Sequence, residues 1–270
     1  MQLKYPDTAL IGILVLAFSS AATGFWLWIG PAATIPLLIL LLIIVAGLQL
    51  HLFRVREQHD VHQLRQIQAL ISLYQMIPFK APPPWLTGWA ATPELALTLY
   101  QLVRERRPAV VVELGSGASS VIIASALEQN GSGRLICIEQ DAAYADETRK
   151  ALCREGIEGR VEVIHAPIST SKIGGNEWRW YERKSLPDFS AIDLLVVDGP
   201  NRELQKMARY PALPVLHEFL AEEAVIVLDD ANRKDERAVV KRWMAEFEGF
   251  TAQFLNSPKG TAVIRRIHSE

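Results

Sequence analysis

The chain has 270 residues, 50% of them hydrophobic, with a formal net charge of −2 and two cysteines. That balance excludes a disulfide-stapled scaffold, and with no basic stripe interleaved with aromatics it speaks against a nucleic-acid binder. The slightly positive mean hydropathy of +0.13 has a local source, because residues 8–50 contain no Asp, Glu, Lys or Arg.

Two apolar spans of roughly 20 residues fit into that stretch, each long enough for a bilayer core. They are residues 8–29 and 32–53, separated by Gly30-Pro31, and they predict a transmembrane helical hairpin over 1–53. Arg54, Arg56 and Arg65 follow the second span while the turn carries no charge, so the positive-inside bias puts the remainder of the chain in the cytosol, on a multi-pass inner-membrane protein. Small residues at 17–22 mimic a signal-peptidase site, but Lys4 is the only basic residue before them, and the second span returns the chain to the same side.

Residues 54–91 form a stem and connector. Leu64, Ile67, Ile71 and Tyr74 recur at three- and four-residue spacing, which predicts an amphipathic helix able to pack on the domain or to self-associate into a homo-oligomer. His59 and His62 lie within one turn but have no carboxylate or cysteine partner in a metal-ligand array, so a solvated face explains them. Pro78, Pro82, Pro83 and Pro84 stiffen the connector, and Trp85 and Trp89 at its end suit a lipid interface, a cofactor entrance or a core cover equally well.

The third part, residues 92–270, is one domain in size. Thr92 and Pro93 open a helix as cap and first residue. Residues 110–120 read VVVELGSGASS, a β-branched run suited to a strand buried on both faces, then a glycine turn, then a helix over 118–129. Such a turn brings backbone and helix N-terminal amides close to a ligand. A dinucleotide fold would place a third glycine where this chain has Ser120.

Further strands are predicted at 134–139, 161–165, 192–198, 224–230, 250–255 and 261–266, with helices at 142–154, 204–220 (interrupted by Pro211 and Pro214) and 236–247. Asp141 caps the first of these helices, while Cys137 and Cys153 fall in a strand and a helix as reduced thiols. Residues 169–188 lack periodicity and carry Gly174, Gly175, Trp178, Trp180 and Tyr181, which suggests a long functional loop and a candidate substrate lid. The sum is an α/β protein with a Rossmann-like, doubly wound, mostly parallel seven-stranded sheet closed by an antiparallel hairpin. In such a sheet ligands bind beyond the carboxyl ends of the strands, so Glu139, Asp198, Asp229 and Asp230 should converge on the glycine loop, with Arg202 and Arg209 as cations for an anionic substrate.

Residues Glu113-Leu114-Gly115-Ser116-Gly117, together with the terminal hairpin, resemble class I S-adenosylmethionine-dependent methyltransferases over residues 92–267. The resemblance implies that Glu113, Gly115, Ser116, Gly117, Ser119, Glu139, Ala166 and Asp198 bind S-adenosylmethionine, with Glu139 accepting the ribose hydroxyls and His165 a candidate neighbour of the adenine. It implies a reaction at Asp198, Asn201 and Arg202. Asp198, Asp229 and Asp230 resemble the acidic ligands of cation-dependent O-methyltransferases, which makes Mg²⁺ or Ca²⁺ a candidate cofactor. Two departures stand out: Asp230 replaces the usual asparagine, and Asn201 stands where a lysine usually follows the first acid. Without a metal, Asp198 and Asp229 would hold the methionine end of the cofactor or the substrate, and Asp230 would orient the next loop. The expected acceptor is a small or lipid-linked molecule. The rival readings are a non-catalytic, nucleoside-binding membrane sensor or assembly protein, and a nicotinamide-dependent reductase.

Overall fold

In the computed structural model the described residues are 16–21, 23, 24, 27 and 31–267. Most of the first predicted span therefore lies outside the described residues; the part within them is helical. The second span and the amphipathic stem are not two helices but one, α1 (Pro31–Met76, 46 residues). Among the described residues this is the one helix long and apolar enough to cross a membrane by length and composition, with no residue of its apolar window buried. Residues 1–61 and 62–270 form two compact units. The C-terminal end of α1 lies in the second unit, where Ala69, Leu73 and Ile77 are buried core residues.

That second unit is built on seven strands in the order β3-β2-β1-β6-β7-β9-β8, where β1 is Val110–Leu114, β2 Arg134–Glu139, β3 Val161–His165, β6 Ile192–Val197, β7 Leu220–Asp229, β8 Phe250–Leu255 and β9 Thr261–Arg266. Neighbouring strands from β3 to β7 pair in parallel, and β9 runs antiparallel to both β7 and β8. The β-branched runs explain why: β1 is buried along its whole length, with Val112 and Leu114 in one core cluster and Val111 in the other. A central parallel strand needs apolar side chains on both faces, because helices or ribbons cover both.

The layer holding Val111 is helical. Here α2 (Pro93–Arg106) and α3 (Ala118–Asn130) pack with the end of α1, burying Leu73, Leu95, Leu99, Ile123 and Leu127. The capping chemistry matches expectation: Thr92 Oγ1 accepts from Leu95 N at 3.3 Å, and Asp141 Oδ1 accepts from Ala143 N at 2.8 Å at the start of α4 (Ala142–Glu155). The connector is tied to this body through Glu155, whose carboxylate accepts from Lys80 N and Ala81 N at 2.9 and 3.0 Å.

The opposite layer is aromatic and departs from the sequence reading. Residues 169–188 are no open loop, for Ile168–Ile173 (β4) and Asn176–Tyr181 (β5) pair as an antiparallel hairpin. Trp178, Trp180 and Tyr181 point into the core, and the Trp178 ring lies 4.7 Å from that of Tyr210. Burying these rings outweighs the polar character of the segment and fixes it as a ribbon. The long helix expected at 204–220 is also absent, since only Ala212–Leu216 (α5) is α-helical, with Pro211 at its start and 3₁₀ turns around it. The last helix is α6 (Lys234–Glu246), whose Trp243 donates its indole N–H to Tyr210 O at 2.9 Å.

Candidate functional site

The carboxyl ends of β1, β2, β6 and β7 surround a cleft of about 350 Å³. Its walls include Gly115, Ser116, Glu139, Asp198, Asn201, Arg202 and Asp230, all predicted site residues, Trp89, a candidate for the cofactor entrance, and Tyr181, from the candidate lid, together with Gln140, Tyr144 and Arg233, which were not in the predicted set. Glu113, Gly117, Ser119, Ala166 and Asp229 do not line it. His165 is also outside, exposed at the end of β3 with its ring 3.2 Å from Gln140 O.

The glycine turn follows from backbone geometry. Gly115 has φ +90°, and a Cβ there would stand 3.0 Å from Gly199 N and 3.2 Å from the Asp198 carbonyl carbon. The turn after β1 therefore lies back to back with the turn after β6, and only a residue without a side chain permits it. Gly199 is equally confined, because a Cβ at that position would collide with the Tyr181 hydroxyl. Gly117 differs: a Cβ there meets no atom within 4 Å, so nothing in the fold requires its glycine, and the space beside it is open.

Glu139 joins two elements of the rim. Its Oε2 accepts from Ser116 N at 2.8 Å and its Oε1 from Asp141 N at 2.9 Å, so the carboxylate is fixed at the strand tip while retaining acceptor capacity toward the cleft. Ala166 contributes through its backbone, donating to Glu139 O at 2.8 Å. Asn201 faces the cleft, but its amide oxygen caps the following turn by accepting from Glu203 N at 3.1 Å. The Tyr181 hydroxyl is buried without a hydrogen-bond partner, a donor held against the cleft wall. Burial, with Glu139 nearby, pushes its pKa well above the ordinary phenol value.

Beneath the loop, Glu113 is fully buried. Ser120 donates its hydroxyl to Glu113 and accepts from Gly117 N at 3.0 Å, and the Cys137 thiol stands 3.4 Å from the same carboxylate oxygen. Burial pushes Glu113 up to about 7, with the Ser119, Ser120 and Cys137 contacts opposing the shift. Glu113 supports the turn from below, and the position of the missing third glycine is filled by a hydroxyl that ties the turn to it.

The three aspartates do converge. Asp198, Asp229 and Asp230 each offer a carboxylate oxygen, all within 4.8 Å of one another. An all-oxygen set of this kind suits a hard divalent cation. The backbone at Asp230 takes φ +59°, a left-handed conformation that aspartate tolerates better than most residues. Yet Arg209, buried in the same place, donates from Nη2 to Asp198 Oδ1 and to Asp230 Oδ2, both at 2.9 Å, and from Nη1 to Asp229 O at 2.9 Å. Arg233 adds a second cation 2.6 Å from Asp230 Oδ2. A divalent ion about 4 Å from a guanidinium is repelled by about 8 kcal/mol at an effective dielectric of ~20. The residues present therefore do not fit a divalent ion as they stand. Burial opposes the charge of Arg209, but Asp198, Asp230 and Asp229 overcome it and hold the guanidinium ionised. Burial also raises Asp198 and Asp229, with the crowding of the acids adding to it and Arg209 opposing it.

Sequence reading identified Arg209 as a cation for an anionic substrate; the structure instead puts it among the acids. Arg233 and Tyr144 had no recognisable signal, since each is an ordinary helix-start residue until the topology brings it to the rim.

A glycine turn at the tip of β1, an acid at the tip of β2 and a single antiparallel strand at β9 define the class I methyltransferase architecture. Residues 112–231 match the family model described as "Methyltransferase domain", and the chain carries such a domain. No curated protein matches the chain in sequence. Among solved structures, the fold is similar to a methyltransferase from Geobacter sulfurreducens (19% identity, TM-score 0.50, covering 74% of this chain and 89% of that one). It is similar to the O-methyltransferase TomG from Streptomyces achromogenes, solved with S-adenosylmethionine (19%, TM-score 0.50, 67% and 82%). It is also similar to the Podospora anserina methyltransferase PaMTH1, solved with S-adenosylhomocysteine (16%, TM-score 0.54, 78% and 96%). At these identities the likeness concerns the fold.

Proposed function

We propose that the chain is a membrane-anchored S-adenosylmethionine-dependent methyltransferase that methylates a hydroxyl of a small or lipid-linked acceptor. The observation that carries this reading is Glu139, a carboxylate fixed by two backbone amides, one of them from the Gly115-Ser116 turn, in a cleft that this turn also lines. The cleft volume lies within the range of small-molecule sites. The solved relatives with bound S-adenosylmethionine or S-adenosylhomocysteine support the same ligand class.

The bound donor supplies an electrophilic methyl group on a sulfonium. Transfer is an in-line displacement, in which the acceptor oxygen forms a bond to the methyl carbon while the C–S pair returns to sulfur and the hydroxyl proton leaves to a base. The protein's task is alignment and proton removal. Glu139 holds the nucleoside, the Ser116 backbone and Gly115 bound the loop side, and Tyr181 offers a hydroxyl donor. Asp198 takes the acceptor's proton, with Asn201 and Arg202 beside it on the acceptor side. Trp89, 74% exposed at the rim, offers a flat apolar surface for the acceptor.

The anchor reading rests on α1, whose charge-free segment 31–53 is followed by Arg54 and Arg56. This orientation puts the methyltransferase domain in the cytosol, and a tethered enzyme suits an acceptor held in or near the bilayer. Calorimetry on the full chain in mild detergent, with S-adenosylmethionine, S-adenosylhomocysteine and NADH in turn, tests the cofactor. Binding of the two sulfur nucleosides, lost in Glu139→Ala, is expected; binding of NADH alone overturns the reading. Turnover on membrane extracts and none on soluble extracts is the expected acceptor result, and the reverse removes the lipid-linked proposal.

A further inference from the structure

We infer that Arg209 is the resident cation of the acidic rim: its guanidinium takes the place among Asp198, Asp229 and Asp230 where a divalent metal would otherwise sit, and the site works without one. The same three residues that make up the only candidate metal cluster among the described residues are the three that Arg209 bonds, through Asp198 Oδ1, Asp230 Oδ2 and the Asp229 carbonyl. Two of the three acidic side chains are thereby bonded to a charge that does not titrate.

For a metal to enter, Arg209 must leave, and its neighbours hold it in place. The next residue, Tyr210, lies with its ring 4.7 Å from Trp178 and beneath the Arg242 guanidinium at 3.8 Å, while its carbonyl accepts the Trp243 indole N–H at 2.9 Å. On the other side, Met207 takes φ +53° and its N–H donates to Asp235 Oδ2 at 3.3 Å. Arg209 O accepts from Ala212 N at 3.2 Å. The arginine is thus delivered by a turn anchored in the aromatic layer, and its guanidinium is held by Asp198, Asp230 and the Asp229 carbonyl.

Charge supports the same conclusion. Three carboxylates face two arginines, Arg209 and Arg233, so most of the acidic charge is already balanced and a metal dication would turn a formally negative cluster positive. Arg209 also positions Asp198: a carboxylate with one oxygen on a fixed guanidinium turns the other toward the cleft. This inference rests on the methyltransferase reading only for what the site does, not for what occupies it.

The test is Mn²⁺ binding, read by electron paramagnetic resonance, on the chelator-stripped full chain in mild detergent. Wild type and Asp229→Asn should give the same titration, with no Mn²⁺ held by the trio. Arg209→Met, which keeps length and removes charge, should raise Mn²⁺ affinity by about tenfold or more. Adding Asp229→Asn to it should abolish the gain, and Arg209→Lys should show none. Stoichiometric Mn²⁺ on wild type that disappears in Asp229→Asn overturns the inference, as does a folded Arg209→Met that binds no more Mn²⁺ than wild type. Should Arg209→Met fail to fold by circular dichroism, the comparison of wild type with Asp229→Asn decides alone. Failure of a folded wild-type chain to bind S-adenosylmethionine would refute the methyltransferase reading and leave the Mn²⁺ result standing.

Discussion

Replacing Glu113 by glutamine should abolish a specific part of the protein's pH-dependent stability. In the folded chain this carboxyl is pushed up to about 7 from its ordinary 4.5, chiefly by burial. A raised acid pKa means that the folded state binds the proton more tightly than the unfolded one. Its stabilising contribution is therefore complete below pH 4.5 and is lost as pH rises through about 7. At about 1.4 kcal/mol per pH unit the loss is about 3 kcal/mol, a large fraction of an ordinary domain's stability. Glutamine has nearly the same shape, retains an oxygen for the Ser120 hydroxyl, and cannot ionise. Urea unfolding of the full chain in mild detergent, followed by tryptophan fluorescence from pH 4.5 to 8, should show the two proteins nearly equal at the acid end. The variant should become progressively more stable, reaching an advantage of about 3 kcal/mol at the alkaline end. The raised Asp229 affects both proteins and cancels in the difference. A difference that stays constant with pH would show that Glu113 is ionised in the fold throughout and would refute the reasoning.

Three further outcomes follow from the glycine turn and the connector. Gly115→Ala should cost on the order of 1–3 kcal/mol of stability as well as cofactor affinity, because φ +90° and a 3.0 Å approach to Gly199 N leave no room for a methyl. By contrast, Gly117→Ala should melt at the wild-type temperature while binding S-adenosylmethionine less tightly, since its Cβ would enter open space beside the turn; an equal fall in melting temperature for both variants would show the distinction to be wrong. Glu155→Ala should leave the Lys80 and Ala81 amides without their acceptor, cost about 1–3 kcal/mol, and expose residues 77–92 to protease faster than the rest of the domain. Unchanged cleavage there would mean that the connector is held by other contacts.

Those parts of the domain whose local pattern agrees with their tertiary place were legible in the sequence. Each of the seven sheet strands is an apolar or β-branched run, and the caps at Thr92 and Asp141 use side chains that reach their own helix. Where tertiary packing decides, the sequence misled. Residues 168–181 mix Ser, Thr, Lys, Asn and Arg with two tryptophans, and nothing local says that Trp178, Trp180 and Tyr181 are buried. The same holds for 204–220, where helical spacing continues through the whole segment but the folded chain forms only a five-residue helix that begins after Pro211.

The acidic rim shows the limit most sharply. Asp198, Asp229 and Asp230 were recognisable as strand-end acids, and their convergence follows from topology alone, because β6 and β7 are neighbours that both end at the same edge. What they bind does not follow from topology. The deciding cation comes from Arg209, in a segment whose helical spacing the folded chain does not follow, and it arrives because Tyr210 is anchored between Trp178, Arg242 and Trp243. A set of oxygen ligands therefore cannot be assigned a metal from spacing alone: an arginine brought in by an unrelated layer of the core bonds one carboxylate oxygen each of Asp198 and Asp230 and the Asp229 carbonyl, and the aromatic ribbon that looked like a lid supports the turn that delivers it.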